Sequence, residues 1–279
     1  MSSPRPIVPS SPWPAWLPST GGLTLGCLPV VLISGGLLAV HFDPTMARAS
    51  VEAIEEVVPF GFAVRGLHYF GGHLLLILAL AHAAARLWTR DYRRMSPAAW
   101  ATAVLALPLV VWVMLSGFLL RGDPEAVGAA EVTRHLLGLL PDGGHTRACL
   151  LGTTPAALYA QHAATATLFL LALVLGHARV GWPTATAVAL PTAATLGLAA
   201  VASAPIAPQG TDPVHAPWYL LGLQEALART PHPAWPFLPP LALLAWLLVV
   251  PRITDRWLHT AVVLVVAPYL LLTFLGWMR

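Results

Sequence analysis

The chain has 279 residues, of which 57% are hydrophobic and only 10% charged, and its mean hydropathy is +0.72. Soluble domains carry about 25% charged residues, so this composition excludes a soluble globular enzyme. All fifteen basic residues are Arg, the net charge is only +3 and no basic run occurs, which excludes a nucleic-acid surface. The opening MSSPRPIVPSSPWPAW is Pro-rich, and no basic segment leads into a short apolar core and a small-residue cleavage site. Residues 1–20 therefore read as a tail rather than a cleaved signal.

Seven charge-free runs follow, each supplying most or all of the roughly 20 residues that a helix needs to cross about 30 Å of hydrocarbon. They predict helices at 21–41, 63–86, 97–120, 157–179, 184–204, 237–250 and 258–277. These runs are apolar on every side, whereas a core helix of a soluble protein keeps a polar face. The sixth is short, with Pro236, Pro239 and Pro240 at its start, where their missing N–H groups would lack partners anyway. The expected fold class is all-α integral membrane: after the tail, a four-helix bundle over 21–180 and a three-helix domain over 181–279. The boundary falls where composition changes after Gly181-Trp182-Pro183. Short Arg-bearing connections follow the second, fourth and sixth helices. The cluster Arg86, Arg90, Arg93 and Arg94 puts that side, and the N-terminus, in the cytoplasm. Cys27 and Cys149 do not suggest a disulfide framework.

Four of the eleven histidines lie well inside predicted spans: His68 and His82 on the second helix, His162 and His177 on the fourth. At about 100° and 1.5 Å per residue, fourteen steps return to within roughly 40° of the starting face and fifteen to within about 60°, rising some 21–22 Å. Each helix thus shows two histidines on one face. Two spans apart, these helices run in the same direction, so His68 meets His162 near one membrane face and His82 meets His177 near the other. Imidazole is costly in lipid and marks function. A matched pair of pairs suits a group with two axial positions, and haem iron held in a four-helix bundle fits. Zinc or copper needs ligands clustered at one point. Glycines support the same reading. Gly22 and Gly36 on the first helix and Ala103 and Gly117 on the third are each fourteen apart, where a flat macrocycle needs missing side chains. Small-residue helix packing is the ordinary alternative.

The stretches GGLTLGCLPVVLISGGLLAVHFDPT, FAVRGLHYFGG with AHAAAR, and QHAATATLFLLALVLGHAR resemble helices of cytochrome b from bc-type quinol-oxidising complexes. The form it is most similar to is the chloroplast and cyanobacterial one. PIAPQGTDPVHAPWYLLGLQEAL resembles that form's small subunit, here fused on, and the resemblance covers most of residues 20–275. It implies two non-covalent b-type haems. His68 and His162 would ligate the low-potential haem on the periplasmic side, and His82 and His177 the high-potential haem on the cytoplasmic side. Arg65 would stand near a haem propionate and Arg86 near a second one, although both also read as snorkelling helix-end arginines. Ser19 occupies the place of a haem-tethering cysteine, so no covalent haem is expected.

The departures fall on the quinol-oxidation pocket. Ala216-Pro217-Trp218-Tyr219 stands where the family has Pro-Glu-Trp-Tyr, and Leu120-Arg121-Gly122-Asp123-Pro124 replaces the turn after the third helix. Glu225 or Asp123 could substitute for the lost carboxylate, but each reads first as a solvated charge. His73 reads as a packing residue, and His41, His135, His145, His215, His232 and His259 lie at helix ends or in loops, His215 and His232 flanking the altered pocket. The implied function is a dihaem cytochrome b of a bacterial inner membrane, passing electrons between a quinone pool, menaquinone or ubiquinone, and periplasmic redox subunits. Those would be multihaem cytochromes or iron–sulfur or molybdenum proteins. A quinone site near the cytoplasmic haem would draw on Arg179, Trp182, Arg252 and Asp255. Lipid is a partner throughout, and the family's dimerisation implies a second copy. Two alternatives stay open: a complete bc-type quinol:cytochrome c oxidoreductase with a Rieske protein, and a haem-free scaffold or transporter.

Overall fold

The computed structural model describes residues 18–177, 182–211, 214–249 and 258–278, and its regular elements there are all helical. In chain order they are α1 (Thr20–Ala39), α2 (Ala47–Glu56), α3 (Gly61–Trp88), α4 (Pro97–Leu119), α5 (Pro124–Gly138), α6 (Gly143–Leu151) and α7 (Pro155–His177). Then come α8 (Ala185–Val201), α9 (Leu221–Arg229), α10 (Leu238–Val249) and α11 (Leu258–Trp277). Helices α1, α3, α4, α7 and α11 are long and apolar enough to cross a membrane, while α8 and α10 are shorter apolar helices of 17 and 12 residues. Apolar side chains are exposed on their outer faces: Leu168 and Phe169 of α7 are both 64% exposed, and Leu264 of α11 is 69% exposed. Residues 1–17 of the tail, Arg179, Arg252 and Asp255 lie outside the described residues.

Sequence punctuation sets the helix starts. Ser19, Ser96, Asp123, Thr154 and Thr184 each accept a hydrogen bond from the backbone N–H three residues on, and Pro follows immediately at 97, 124 and 155. Ser19, expected to be no more than a missing cysteine, is the N-cap of α1.

The spans pack through small residues. A Cβ on Gly26 of α1 would stand 2.0 Å from the Ala187 carbonyl oxygen of α8, and one on Gly66 of α3 would stand 2.5 Å from the Ala199 Cβ. Helix α1 also lies along α3, with Cys27 Sγ 3.9 Å from the Gly71 carbonyl. On the other side α4 and α7 pair, and Gly176 brings α7 against Thr102. The α1–α3 and α4–α7 pairs meet through a core of Leu76, Ala106, Val110 and Leu170, closed by Tyr219. Helix α9 lies on α11, where Gly222 leaves room for the Tyr269 carbonyl, and Trp100 Nε1 ties α4 to the Leu247 carbonyl of α10 at 2.6 Å.

The connections between spans contain helices that the hydropathy pattern did not single out. Helix α2 is amphipathic, burying Val51 and Ile54. Helix α5 has Glu125 in its first turn and His135 in its last, matching the helix dipole at both ends. Helices α2 and α5 and the segment 204–207 roof one end of the bundle. Arg65 Nη1 bonds Glu55 of α2 and the Ala204 carbonyl, both at 2.7 Å, while Nη2 bonds the Pro205 carbonyl at 3.0 Å. Arg48 reaches the Ala207 carbonyl at 3.0 Å, and Asp123 accepts from the Ala207 N–H at 2.9 Å.

Candidate functional site

Beneath that roof, between the two helix pairs, lies a cavity of about 680 Å³, within the range of roughly 300–1,000 Å³ usual for cofactor sites. His68 enters from α3 and His162 from α7, with ring centres 6.2 Å apart and planes at 85°.

Each ring is held from the neighbouring helix by the same three parts. His68 Nδ1 lies 3.0 Å from the Val31 carbonyl and 3.4 Å from Ser34 Oγ, and a Cβ on Gly35 would strike its Cε1 at 2.8 Å. His162 Nδ1 lies 3.0 Å from the Val113 carbonyl and 3.1 Å from Ser116 Oγ, and a Cβ on Gly117 would strike its Cε1 at 2.7 Å. Val31, Ser34 and Gly35 on α1 thus repeat as Val113, Ser116 and Gly117 on α4. A carbonyl can only accept, so Nδ1 carries the proton in both rings and Nε2 keeps its lone pair. That is the arrangement by which a hydrogen-bonded second nitrogen fixes tautomer and orientation in a metal-ligating histidine.

The residues present fit a haem at this position. His68 and His162, with ring centres 6.2 Å apart and each Nε2 left uncommitted by the Nδ1 bond, would hold its iron. Gly36 and Gly72 both line the cavity, and a Cβ on either would meet nothing within 4 Å, so flat surface is free on both walls. Among the described residues no three His, Cys, Asp or Glu side chains converge, so a tetrahedral metal site is not formed there.

The other two histidines occupy the opposite end of the same helices. His82 Nδ1 lies 3.4 Å from Thr20 Oγ1, and a Cβ on Gly21 would strike its ring at 2.7 Å. His177 Nδ1 bonds the Leu173 carbonyl of its own helix at 3.0 Å. The glycines against the α3 rings are Gly21 and Gly35, whereas Gly22 and Gly36, expected to leave room for a flat macrocycle, lie one position further on. Gly22 stands beside Ser19 and Pro18, Gly36 faces the cavity, and Gly117 lies against its ring as a site residue. One residue turns a helix by about 100°, which hydropathy alone does not register. A sharper signal was present: a hydroxyl residue followed by a small one, Thr20-Gly21 and Ser34-Gly35 on α1, Thr102-Ala103 and Ser116-Gly117 on α4, each pair fourteen residues from its partner.

The arginines expected at propionates have protein partners. Arg65 lines the cavity but is tied to Glu55 and two carbonyls, and Arg86 pairs with Asp91 at 2.6 Å. Arg121, not singled out from sequence, also lines the cavity, lies 4.3 Å over the Phe118 ring and pairs with Asp123 and Glu125.

The two candidate substitute acids are neither solvated nor on the cavity. Asp123 is fully buried, accepting from the Ala126 and Ala207 N–H groups and from Arg121. Glu225 is 6% exposed, pairs with Arg229 and packs on Gly276 of α11. Tight packing of the interfacial helices buries both. The carboxylate that does line the cavity is Glu125, 2.9 Å from Arg121. His73 bonds the Tyr69 carbonyl at 2.7 Å, as a packing residue should, and also lines the cavity with Trp218 and Tyr219. Burial pushes the Tyr219 phenol well above its ordinary range, so it remains a neutral hydroxyl. Trp182 is 98% exposed.

A family model described as cytochrome b/b6/petB matches residues 9–180. The chain is 27% identical over 160 residues to a menaquinol:cytochrome c reductase cytochrome b subunit of Geobacillus thermodenitrificans, covering 57% of this chain and 71% of that protein. It is 30% identical over 128 residues to cytochrome b6 of Heliobacterium mobile, covering 45% of this chain and 60% of that one. Among solved structures, a chain of a hyperthermophilic respiratory Complex III matches with a TM-score of 0.66 at 21% identity, over 93% of this chain and 83% of its own length. That last likeness concerns the fold.

Proposed function

This chain belongs to the cytochrome b/b6 family, and from that premise we propose that it is the dihaem cytochrome b subunit of a quinol:cytochrome c reductase-type complex. It carries electrons between the quinone pool and a redox partner on the periplasmic face. The observation that carries this reading is the His68–His162 pair: ring centres 6.2 Å apart, both Nδ1 atoms bonded to carbonyls of adjacent helices, beside a cavity of about 680 Å³. His82 and His177 hold the second haem at the other end of α3 and α7.

Held by these histidines, a haem would supply one-electron transfer. The chain's own residues do the rest. Val31, Ser34, Val113 and Ser116 orient the ligands, Gly35 and Gly117 admit them, and the roof tied by Arg65, Asp123 and Arg48 covers the cavity at that end. In this reading seven helices span a bacterial inner membrane, with the N-terminus in the cytoplasm and the roofed cavity at the periplasmic face. Residues 21–180 form the haem bundle and 181–279 the three-helix domain, and the molecule pairs with a second copy. The stop of the family match at 180 supports that division.

One feature favours a complete bc-type reductase with a Rieske partner over an anchor for other periplasmic subunits. The cavity continues past the histidines to Glu125, Trp218 and Tyr219, so polar groups remain where the family oxidises quinol. The test of the main reading is a reduced-minus-oxidised spectrum with haem quantification on wild type and His82→Ala: two b haems per chain, falling to about one. A wild-type chain without haem supports the scaffold alternative instead. Loss of turnover with inhibitors of periplasmic quinol oxidation separates the Rieske-linked complex from the anchor.

A further inference from the structure

Helices α3 and α7 carry their histidines at different spacings, fourteen residues for His68 and His82 and fifteen for His162 and His177. In two regular α-helices at about 100° per residue, those spacings rotate the second ring by about −40° and about +60°, a mismatch of roughly one residue step. Four ligands arranged as two opposed pairs cannot tolerate that on one helix alone.

One turn of α7 is built differently from the rest. Helix α7 is regular over Pro155–Ala160 and Thr167–His177, but Gln161–Ala166 between them forms a π-turn, wider than an α-turn. A π-turn takes up one extra residue without adding rotation or rise, so fifteen residues of α7 span what fourteen span in α3. The residues forming it after His162 are Ala163, Ala164, Thr165 and Ala166, which keeps the wide turn uncrowded.

One side chain fits only the wider turn. Thr167 Oγ1 donates to the His162 carbonyl at 2.7 Å, five residues back. Other Ser and Thr hydroxyls bonded to their own helix reach back three or four residues, as in Ser34 to Val30, Ser116 to Val113, Thr133 to Ala129, Thr192 to Val188 and Thr273 to Tyr269. Thr167 also lines the cavity, directly following the turn that carries the His162 ring.

We infer that the π-turn at Gln161–Ala166 is a phase corrector that aligns His162 with His177 as His68 is aligned with His82, and that Thr167 is a positioning residue holding it. The inference rests on the haem reading above. It predicts that one residue is dispensable in α7 and none in α3.

The test uses the full chain in its membrane complex, with haem per chain and low-temperature EPR of the b haems as readouts. Deletion of Ala164 restores a fourteen-residue spacing and is expected to retain two haems. Deletion of Ile77 in α3, where no π-turn exists to absorb it, is expected to lose at least one. Thr167→Val is expected to keep two haems but shift the EPR signal and midpoint potential of one, and Thr167→Ser to restore both. The inference is overturned if deletion of Ala164 loses haem as deletion of Ile77 does, or if Thr167→Val leaves both potentials and both signals unmoved. A wild type lacking haem defeats the proposed function itself, whereas a wild type with two and an Ala164-deleted chain with one defeats only this inference.

Discussion

At the roofed end of the bundle, both histidine rings are fixed by a neighbouring helix: carbonyl, serine hydroxyl and glycine, once from α1 and once from α4. At the other end, His82 has a glycine and only a 3.4 Å contact with Thr20, and His177 bonds its own helix. The roofed end is also the one stitched by buried charge, with the Arg65 side chain 9% exposed and that of Asp123 fully buried. In residue type and spacing the two ends look alike. They differ in how rigidly the rings are preset before anything binds, and that difference can be broken from either side.

The largest effect is expected from His162→Ala, which removes one member of the preset pair. Haem per chain should drop from two to about one, the retained haem being the one still lost on His82→Ala. Retention of two haems in His162→Ala would sink the ligand assignment. Next is Gly35→Val. Its Cβ falls 2.8 Å from His68 Cε1, and its nearest neighbours are all atoms of that ring, which can only yield by leaving its carbonyl. This variant should lose the same haem while Gly36→Ala, whose Cβ meets open space, folds normally; equal haem content in the two would contradict the cradle.

Arg65→Leu attacks the roof rather than the ligands. Breaking a buried ion pair and leaving Glu55 without its partner costs about 3–5 kcal/mol, so the midpoint of thermal or denaturant unfolding in detergent should fall clearly. Arg86→Leu, at the more exposed pair with Asp91, should shift it far less. Similar losses in both would erase the contrast between the ends. The smallest expected effect is that of Ser116→Ala, which removes the hydroxyl's contacts with the Val113 carbonyl and His162 Nδ1, a hydrogen bond being worth about 0.5–1.5 kcal/mol. It should displace the redox midpoint of the haem at His162 without releasing it, and Thr20→Val should do less to the other, as redox titration of both variants would reveal.

Much of this was legible in the chain because a membrane simplifies the code. A helix in lipid has no water to satisfy its backbone, so long charge-free runs can hardly be anything else. The starts and ends read from them lie within a few residues of α1, α3, α4, α7, α8, α10 and α11. The four histidines stood out for the same reason, as polar groups in an apolar field. Helices α2, α5, α6 and α9 were not legible from hydropathy, since they lie between spans and are stabilised by packing of one face. Yet Asp123-Pro124-Glu125 was a helix start in plain view.

Less accessible was anything that depends on rotation. Gly21 and Gly35, which touch the histidine rings, could not be told from Gly22 and Gly36 in the sequence, because two adjacent glycines have identical hydropathy and differ only in the direction a Cβ would take. Asp123 and Glu225 read as solvated charges because sequence records ionisability, whereas burial depends on which elements close over them.

By itself, then, the chain determined where its apolar segments begin and how far apart along each helix its imidazoles sit, because each of those follows from local composition and a fixed rise per residue. Only the tertiary arrangement decided which nitrogen of each ring is committed and which glycine it touches, and only the folded backbone shows that α7 contains a π-turn at Gln161–Ala166. The first two are relations between helices, and no single helix contains them.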